Sequence, residues 1–170
     1  MTHPLYSASV PLFKKMLGAL DKIIAKAEAH VAEKKIEPDA LLQARLFPDM
    51  FQFVRQVQIA CDFAKSVPAR LSETEVPAYE DNERTFAELR ARIAKTIAFA
   101  DGIDAAKFAG TENRAIVLRA GTPRERRFEG GEAYLLHYGI PQFFFHVATA
   151  YGLLRHNGLE IGKKDYMGEA

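Results

Sequence analysis

Four long stretches of helical period, set against a single β-branched segment, constrain this chain more than any other feature. In the first, Leu12, Met16, Leu20, Ile23, Ala27 and Val31 recur at threes and fours, which puts apolar side chains on one face of a helix. Lys14, Lys15, Lys22 and Lys26 fall away from that stripe. Pro38 and Pro48 bracket a short connecting helical turn. A second long helix is expected over residues 49–67, with Met50, Phe53, Val57, Cys61 and Ala64 on its stripe and Pro68 as its stop. After a loop rich in acid and proline, Asp81 or Asn82 is expected to cap a third helix. Its core positions are Phe86, Leu89, Ile93, Ile97 and Ala100, and Asp101-Gly102 ends it. Asp104 then caps a short turn through Phe108. Arg114-Ala-Ile-Val-Leu-Arg119 has no helical period, Gly121-Thr-Pro-Arg124 reads as a turn, and residues 125–128 return as a second strand. Pro141 suits the start of the fourth helix, and Gly158 suits a left-handed cap at its end, after Arg155 and His156 in the last turn. The expected fold is all-α: a four-helix bundle with a small β-hairpin inserted before the fourth long helix. With no internal repeat and no dividing linker, one domain over residues 1–170 is expected.

Composition narrows the function classes. A formal charge of +1 gives no bulk basic character, so no nucleic-acid partner is expected. The single cysteine, Cys61, excludes an internal disulfide framework and a multi-cysteine zinc site, and its place on an apolar stripe reads as a buried thiol. The beginning, Met1-Thr-His-Pro-Leu-Tyr, has neither a basic n-region nor a continuous apolar h-region, and charge breaks every apolar run before it reaches the length of a membrane span. A cytoplasmic protein without a membrane partner is the expectation. Signatures of P-loops, dinucleotide sites, nucleophile elbows and zinc proteases are absent from the sequence.

The chemistry-bearing residues gather on the fourth helix. Gln142, His146, Thr149, Leu153 and His156 follow spacings of four and three and share one stripe, set among Phe143, Phe144 and Phe145. The block from Phe143 to Lys163, followed by Asp165-Tyr-Met-Gly168, resembles a bacterial and fungal family catalogued only as a domain of unknown function. Tyr6-Ser-Ala-Ser-Val-Pro11 and Leu46-Phe-Pro-Asp-Met-Phe51 with Gln56 are similar to it too, so the resemblance spans the chain. That family lies within the DinB/YfiT-like four-helix superfamily, whose better-known members are metal-dependent and include thiol S-transferases. The resemblance implies one metal-binding histidine on the second helix and an HxxxH pair on the fourth, with a leucine–arginine pair ending nine residues beyond the last histidine. Leu154-Arg155 stands at that distance from His146. The first position of the pair is Gln142, and the second-helix counterpart is Gln52 or Gln56.

A carboxamide oxygen is a poor donor for zinc or nickel beside an imidazole. The expectation is therefore a neutral, hydrogen-bonded cluster of His146 with Gln142, Gln56 or Gln52, with Thr149 beside it, no cofactor and no bound metal. The alternative is a divalent zinc or nickel ion for which His146 is the surviving ligand. His137 has no determined direction across Gly139-Ile-Pro141, His3 and His30 are expected to face solvent, and His156 reads as a capping cation. Around the hairpin, Arg114, Arg119, Arg124, Arg126 and Arg127 read either as a solvated surface or, through Arg119, Arg126 and Arg127, as an anion clamp over the bundle mouth. The aromatic surplus on the fourth helix points to a homodimer. Two functions from different classes remain: a small-molecule-binding or structural module, or a divergent metal- or thiol-dependent transferase at the site around His146.

Overall fold

The structure, a computed structural model, describes residues 3–169. Helix α1 (Pro4–Ser7) is capped by His3, whose Nδ1 accepts the Leu5 N–H at 3.2 Å. His3 is thus a cap rather than a solvent-facing group, and its Nε2 meets Glu112 at 3.2 Å. Helix α2 (Val10–Lys34) buries Met16, Leu20, Ile23, Ala27 and Val31 as expected. Leu12 stays half-buried, because Phe13, Leu17 and Ile24 widen the apolar face to one side. Helix α3 (Asp39–Leu42) is the short connector.

Helix α4 (Phe53–Leu71) departs from the expected bounds at both ends. Met50 precedes it, and Pro68 does not stop it. In the last turn a proline removes only the bond that would run back to Ala64, and the residues after it still gain by burial. Ala69 and Leu71 are fully buried, and the Ser72 N–H and hydroxyl both donate to the Pro68 carbonyl, at 3.0 and 2.8 Å.

Helix α5 (Phe86–Asp101) is capped by Thr85, not by Asp81 or Asn82. Thr85 Oγ1 accepts from Glu88 N–H at 3.1 Å, and Glu88 Oε2 accepts from Thr85 N–H at 2.9 Å, a reciprocal capping box. Asp81 is drawn away by Arg92, a residue of α5 that is 4% exposed. The Arg92 guanidinium reaches Asp62 and Asp81, each at 3.0 Å, Glu83 at 3.0 Å and the Glu80 carbonyl at 2.9 Å. One buried side chain thereby ties the loop of residues 72–85 to α4 and α5. Tyr79 from that loop lies under the ammonium groups of Lys65 and Lys95, 3.7 and 4.1 Å from its ring centre.

Two short helical turns follow, Ala105–Phe108, capped by Asp104 as expected, and Thr111–Asn113. Strands β1 (Ile116–Leu118) and β2 (Arg126–Phe128) form the antiparallel hairpin, with Ile116 opposite Phe128, Val117 opposite Arg127 and Leu118 opposite Arg126. Strand alternation therefore puts Val117 and Arg127 on one face, and Ile116, Leu118, Arg126 and Phe128 on the other. Gly130 and Gly131 then lead into α6 (Gly131–Tyr134), packed closely on Thr111.

The fourth long helix has no break at Gly139-Ile-Pro141. A π-helical segment, Leu135–Gly139, joins α6 to α7 (Ile140–His156) with helical backbone throughout. Gly139 lies where a Cβ would come within 2.9 Å of Val67, so the wide turn lets α7 approach α4. Gly158 is left-handed just beyond the end, with φ 93°. A last helix, α8 (Lys163–Met167), folds back on α2 through Lys26 and Asp165. Helix α4 packs against α7 on one side and α5 on the other, and α5 against α2. All four long helices and the hairpin contribute to a contiguous cluster of buried residues, in which Phe13 meets Phe143 edge-on at 4.7 Å. The fold is the expected all-helical bundle with its hairpin.

Candidate functional site

Position 56 on α4 and position 146 on α7 face one another where these two helices pack. Both side chains are buried, Gln56 at 2% and His146 at 7% exposure. The Gln56 amide donates through Nε2 to the Phe51 carbonyl at 3.1 Å, which turns its oxygen toward the histidine. Gln56 Oε1 lies 2.7 Å from His146 Nδ1. An amide oxygen only accepts, so Nδ1 is the nitrogen that carries the proton, and the lone pair of the neutral ring sits on Nε2. Phe63 stacks on the ring at 6.1 Å, and Phe145 meets it edge-on at 5.1 Å. Burial among these rings, with the nearby Arg55 charge second, pushes the His146 pKa down from 6.5 to about 4.

The other sequence candidates separate. Gln142 is half-buried one turn before His146 and shares a cavity with it, but it makes no hydrogen bond to the histidine. Gln52 is the residue before α4 and faces a different cleft, beside Gln58 and Arg84. Thr149 lies a turn beyond, with its hydroxyl donated to the Phe145 carbonyl at 2.6 Å, so it serves its own helix. His137 is exposed. Of the three glutamines, Gln56 alone bonds to His146.

His146 and Gln142 form part of the wall of a cavity of about 500 Å³. Helix α4 brings Arg55, Phe63 and Arg70 to it, and Tyr138 comes from the π-helical segment. The end of the hairpin supplies Leu118, Arg119 and Arg126. Arg127 lies on the opposite face of the hairpin and pairs with Glu129 at 2.7 Å. Arg114 is likewise engaged, with Glu73 at 3.0 Å and the Leu71 carbonyl at 2.6 Å. The clamp expected from Arg119, Arg126 and Arg127 thus has two of its members on the cavity wall and the third turned away.

Sequence reasoning missed Arg55, Phe63, Arg70 and Tyr138. A signal existed for three of them. Arg55, Asp62, Phe63, Ser66 and Arg70 recur at helical spacing along α4 and form a polar stripe parallel to that of α7. Tyr138 carried no such signal, since its direction depends on the π-helical turn.

The superfamily metal raises a question of donors. One imidazole lines the cavity, its Nδ1 is committed to Gln56, and the facing positions hold carboxamides. No group of three His, Cys, Asp or Glu side chains that could hold a metal ion occurs among the described residues. This donor set does not fit a zinc or nickel centre. Cys61 offers no alternative chemistry, because complete burial pushes its thiol up to about 12. No helix among the described residues is long and apolar enough to cross a membrane.

A family model described as "Domain of unknown function (DUF1993)" matches residues 5–167. The crystal structure of a DinB family member protein from Shewanella denitrificans is similar at 43% sequence identity. It aligns over 96% of this chain and 92% of that one, with a TM-score of 0.89. Comparison with curated proteins finds no match.

Proposed function

Since the chain belongs to the DUF1993 domain family and has the DinB-like helical-bundle fold, we propose that it is a small-molecule-binding module whose pocket occupies the place of the superfamily's metal site. The observation that carries this reading is the 2.7 Å hydrogen bond between Gln56 and His146. A metal needs imidazole lone pairs directed at one point. Here the carboxamide fixes Nδ1 as the donor, burial keeps the ring neutral, and Nε2 is left as an acceptor for a ligand. The cavity sets the rings of Phe51, Phe63 and Tyr138 among polar side chains, arginines above all, and such groups can fix the orientation of a small ligand. The protein binds as a cytoplasmic homodimer in this reading. Phe47, Phe51 and Phe145 are more than half exposed and supply apolar surface for twofold pairing.

The second reading, a divergent transferase, is favoured by one observation. A neutral histidine with a free Nε2 beside an open cavity is also the geometry of a general base. Metal analysis of the purified protein addresses both. The native chain is expected to bind zinc and nickel weakly, and Gln56→His with Gln142→His is expected to raise the affinity for either. Near-stoichiometric metal in the native protein, lost on His146→Ala, would sink the metal-free reading and favour the transferase.

A further inference from the structure

The charge lining the cavity is unbalanced, and the described residues do not neutralise it. Four guanidinium groups border it, those of Arg55, Arg70, Arg119 and Arg126. Arg55 is paired with Asp81. Among the described residues the other three meet no carboxylate: Arg70 donates to the Tyr134 hydroxyl at 3.1 Å, Arg126 lies 5.6 Å from the Tyr138 ring centre, and the Arg119 side chain has no partner there. Asp62, the carboxylate on this wall, is already held by Arg92 and Lys65, each at 3.0 Å. Arg114 and Arg127, which do not border the cavity, each have their own glutamate.

Arg119 is also conformationally marked. Its φ of 53° is left-handed, a conformation that side-chain-bearing residues rarely adopt. The turn holds it there, with the Thr122 N–H and hydroxyl both donating to the Arg119 carbonyl, at 3.2 and 2.8 Å. The turn thereby sets the Arg119 side chain on the cavity wall.

We propose that the cavity takes a small organic acid: its oxyanion, a carboxylate or phosphate ester, is held by Arg119 and Arg126 with Arg70 behind them, an apolar planar body lies against Phe63 and Tyr138, and an N–H or O–H of the ligand donates to His146 Nε2. Guanidinium forks suit the two oxygens of such a group, and the neutral imidazole offers an acceptor beside Phe63. This rests on the binding reading above and adds the chemical class of the ligand.

Calorimetric titration of the full chain tests each part with matched probes: indoleacetate, its N-methyl derivative, the uncharged alcohol tryptophol, phenyl phosphate and inorganic phosphate. Indoleacetate or phenyl phosphate is expected to saturate one site per chain. Tryptophol should bind about tenfold more weakly than indoleacetate or worse, and N-methylation should weaken indoleacetate about tenfold. Arg119→Ala with Arg126→Ala should abolish the preference for the acid and leave tryptophol unchanged. The exposed control pair Arg124→Ala with Arg127→Ala should leave it intact. Equal binding of tryptophol and indoleacetate, unaffected by the arginine pair, overturns the acid class while the pocket stands. Inorganic phosphate binding as tightly as the organic acids overturns the planar body. An equal loss with the control pair reduces the effect to diffuse charge and overturns the site. Failure of every probe at millimolar concentration overturns the organic-acid assignment and leaves the pocket reading to the metal analysis.

Discussion

Replacing His146 by glutamine converts the central ring into a group that keeps a donor for Gln56 but does not titrate. In the folded chain the His146 pKa is depressed from 6.5 to about 4, so between these values the unfolded chain takes up a proton that the folded chain refuses. The contribution of His146 is therefore whole above about pH 6.5, is lost as pH falls toward about 4, and is constant below. The gap corresponds to at most about 3.4 kcal/mol. Water reaching the ring through the open cavity reduces the expectation to about 2 kcal/mol. Urea unfolding of wild type and His146→Gln at about pH 7.5 and about pH 4.5 measures it as a double difference. Other titrating groups, such as the exposed Glu88 and the carboxylate of Asp165, cancel between the two chains. Wild type should lose about 2 kcal/mol relative to the variant on acidification. A flat double difference, or a histidine ring that titrates near 6.5 by nuclear magnetic resonance, would refute the argument that burial, with the Arg55 charge nearby, holds the ring neutral.

Three further outcomes are expected. Arg92→Met should cost about 3–5 kcal/mol in urea unfolding and open residues 72–85 to limited proteolysis, because Asp62, Asp81 and Glu83 lose their common partner; a loss below about 1 kcal/mol would show the network to be dispensable. Gly131→Ala should destabilise by about 1–3 kcal/mol, since the new Cβ would lie 2.8 Å from the Thr111 carbonyl oxygen and 3.0 Å from Leu71, whereas Gly18→Ala on α2 meets nothing within 4 Å and should raise the thermal midpoint. Thr85→Ala should cost about 1 kcal/mol by removing the cap of α5, and an unchanged midpoint would contradict the capping box.

Some of the candidate site was legible in advance and some was not. His146 and Gln142 share a stripe by spacing alone, and Gln56 was one of two alternatives on the second helix. The structure brings Gln56 to His146 and leaves Gln52 before the helix begins. Pairing in the hairpin sends Arg126 and Arg127 to opposite faces, so adjacent arginines of equal appearance in the sequence differ in role. Arg92 looked like an ordinary charged residue of the third helix. Its burial follows from a loop that crosses it, and a periodicity argument along one helix contains no information about that loop.

What the sequence determined by itself are the local quantities. Four apolar stripes set four helices, a β-branched pair between turn residues set the hairpin, and Gly158 set the end of α7, because each depends on the conformational preferences of residues close in the chain. Distances between elements were decided by tertiary structure. Pro68 lies inside α4 because Ala69 and Leu71 gain more by burial than the lost bond costs, and Gly139 sits in a π-helical turn because α7 must approach Val67. The protonation of His146 belongs to the same class. Its tautomer is set by Gln56, 90 residues away along the chain, and its charge by burial among aromatic rings that meet it only when the bundle has closed.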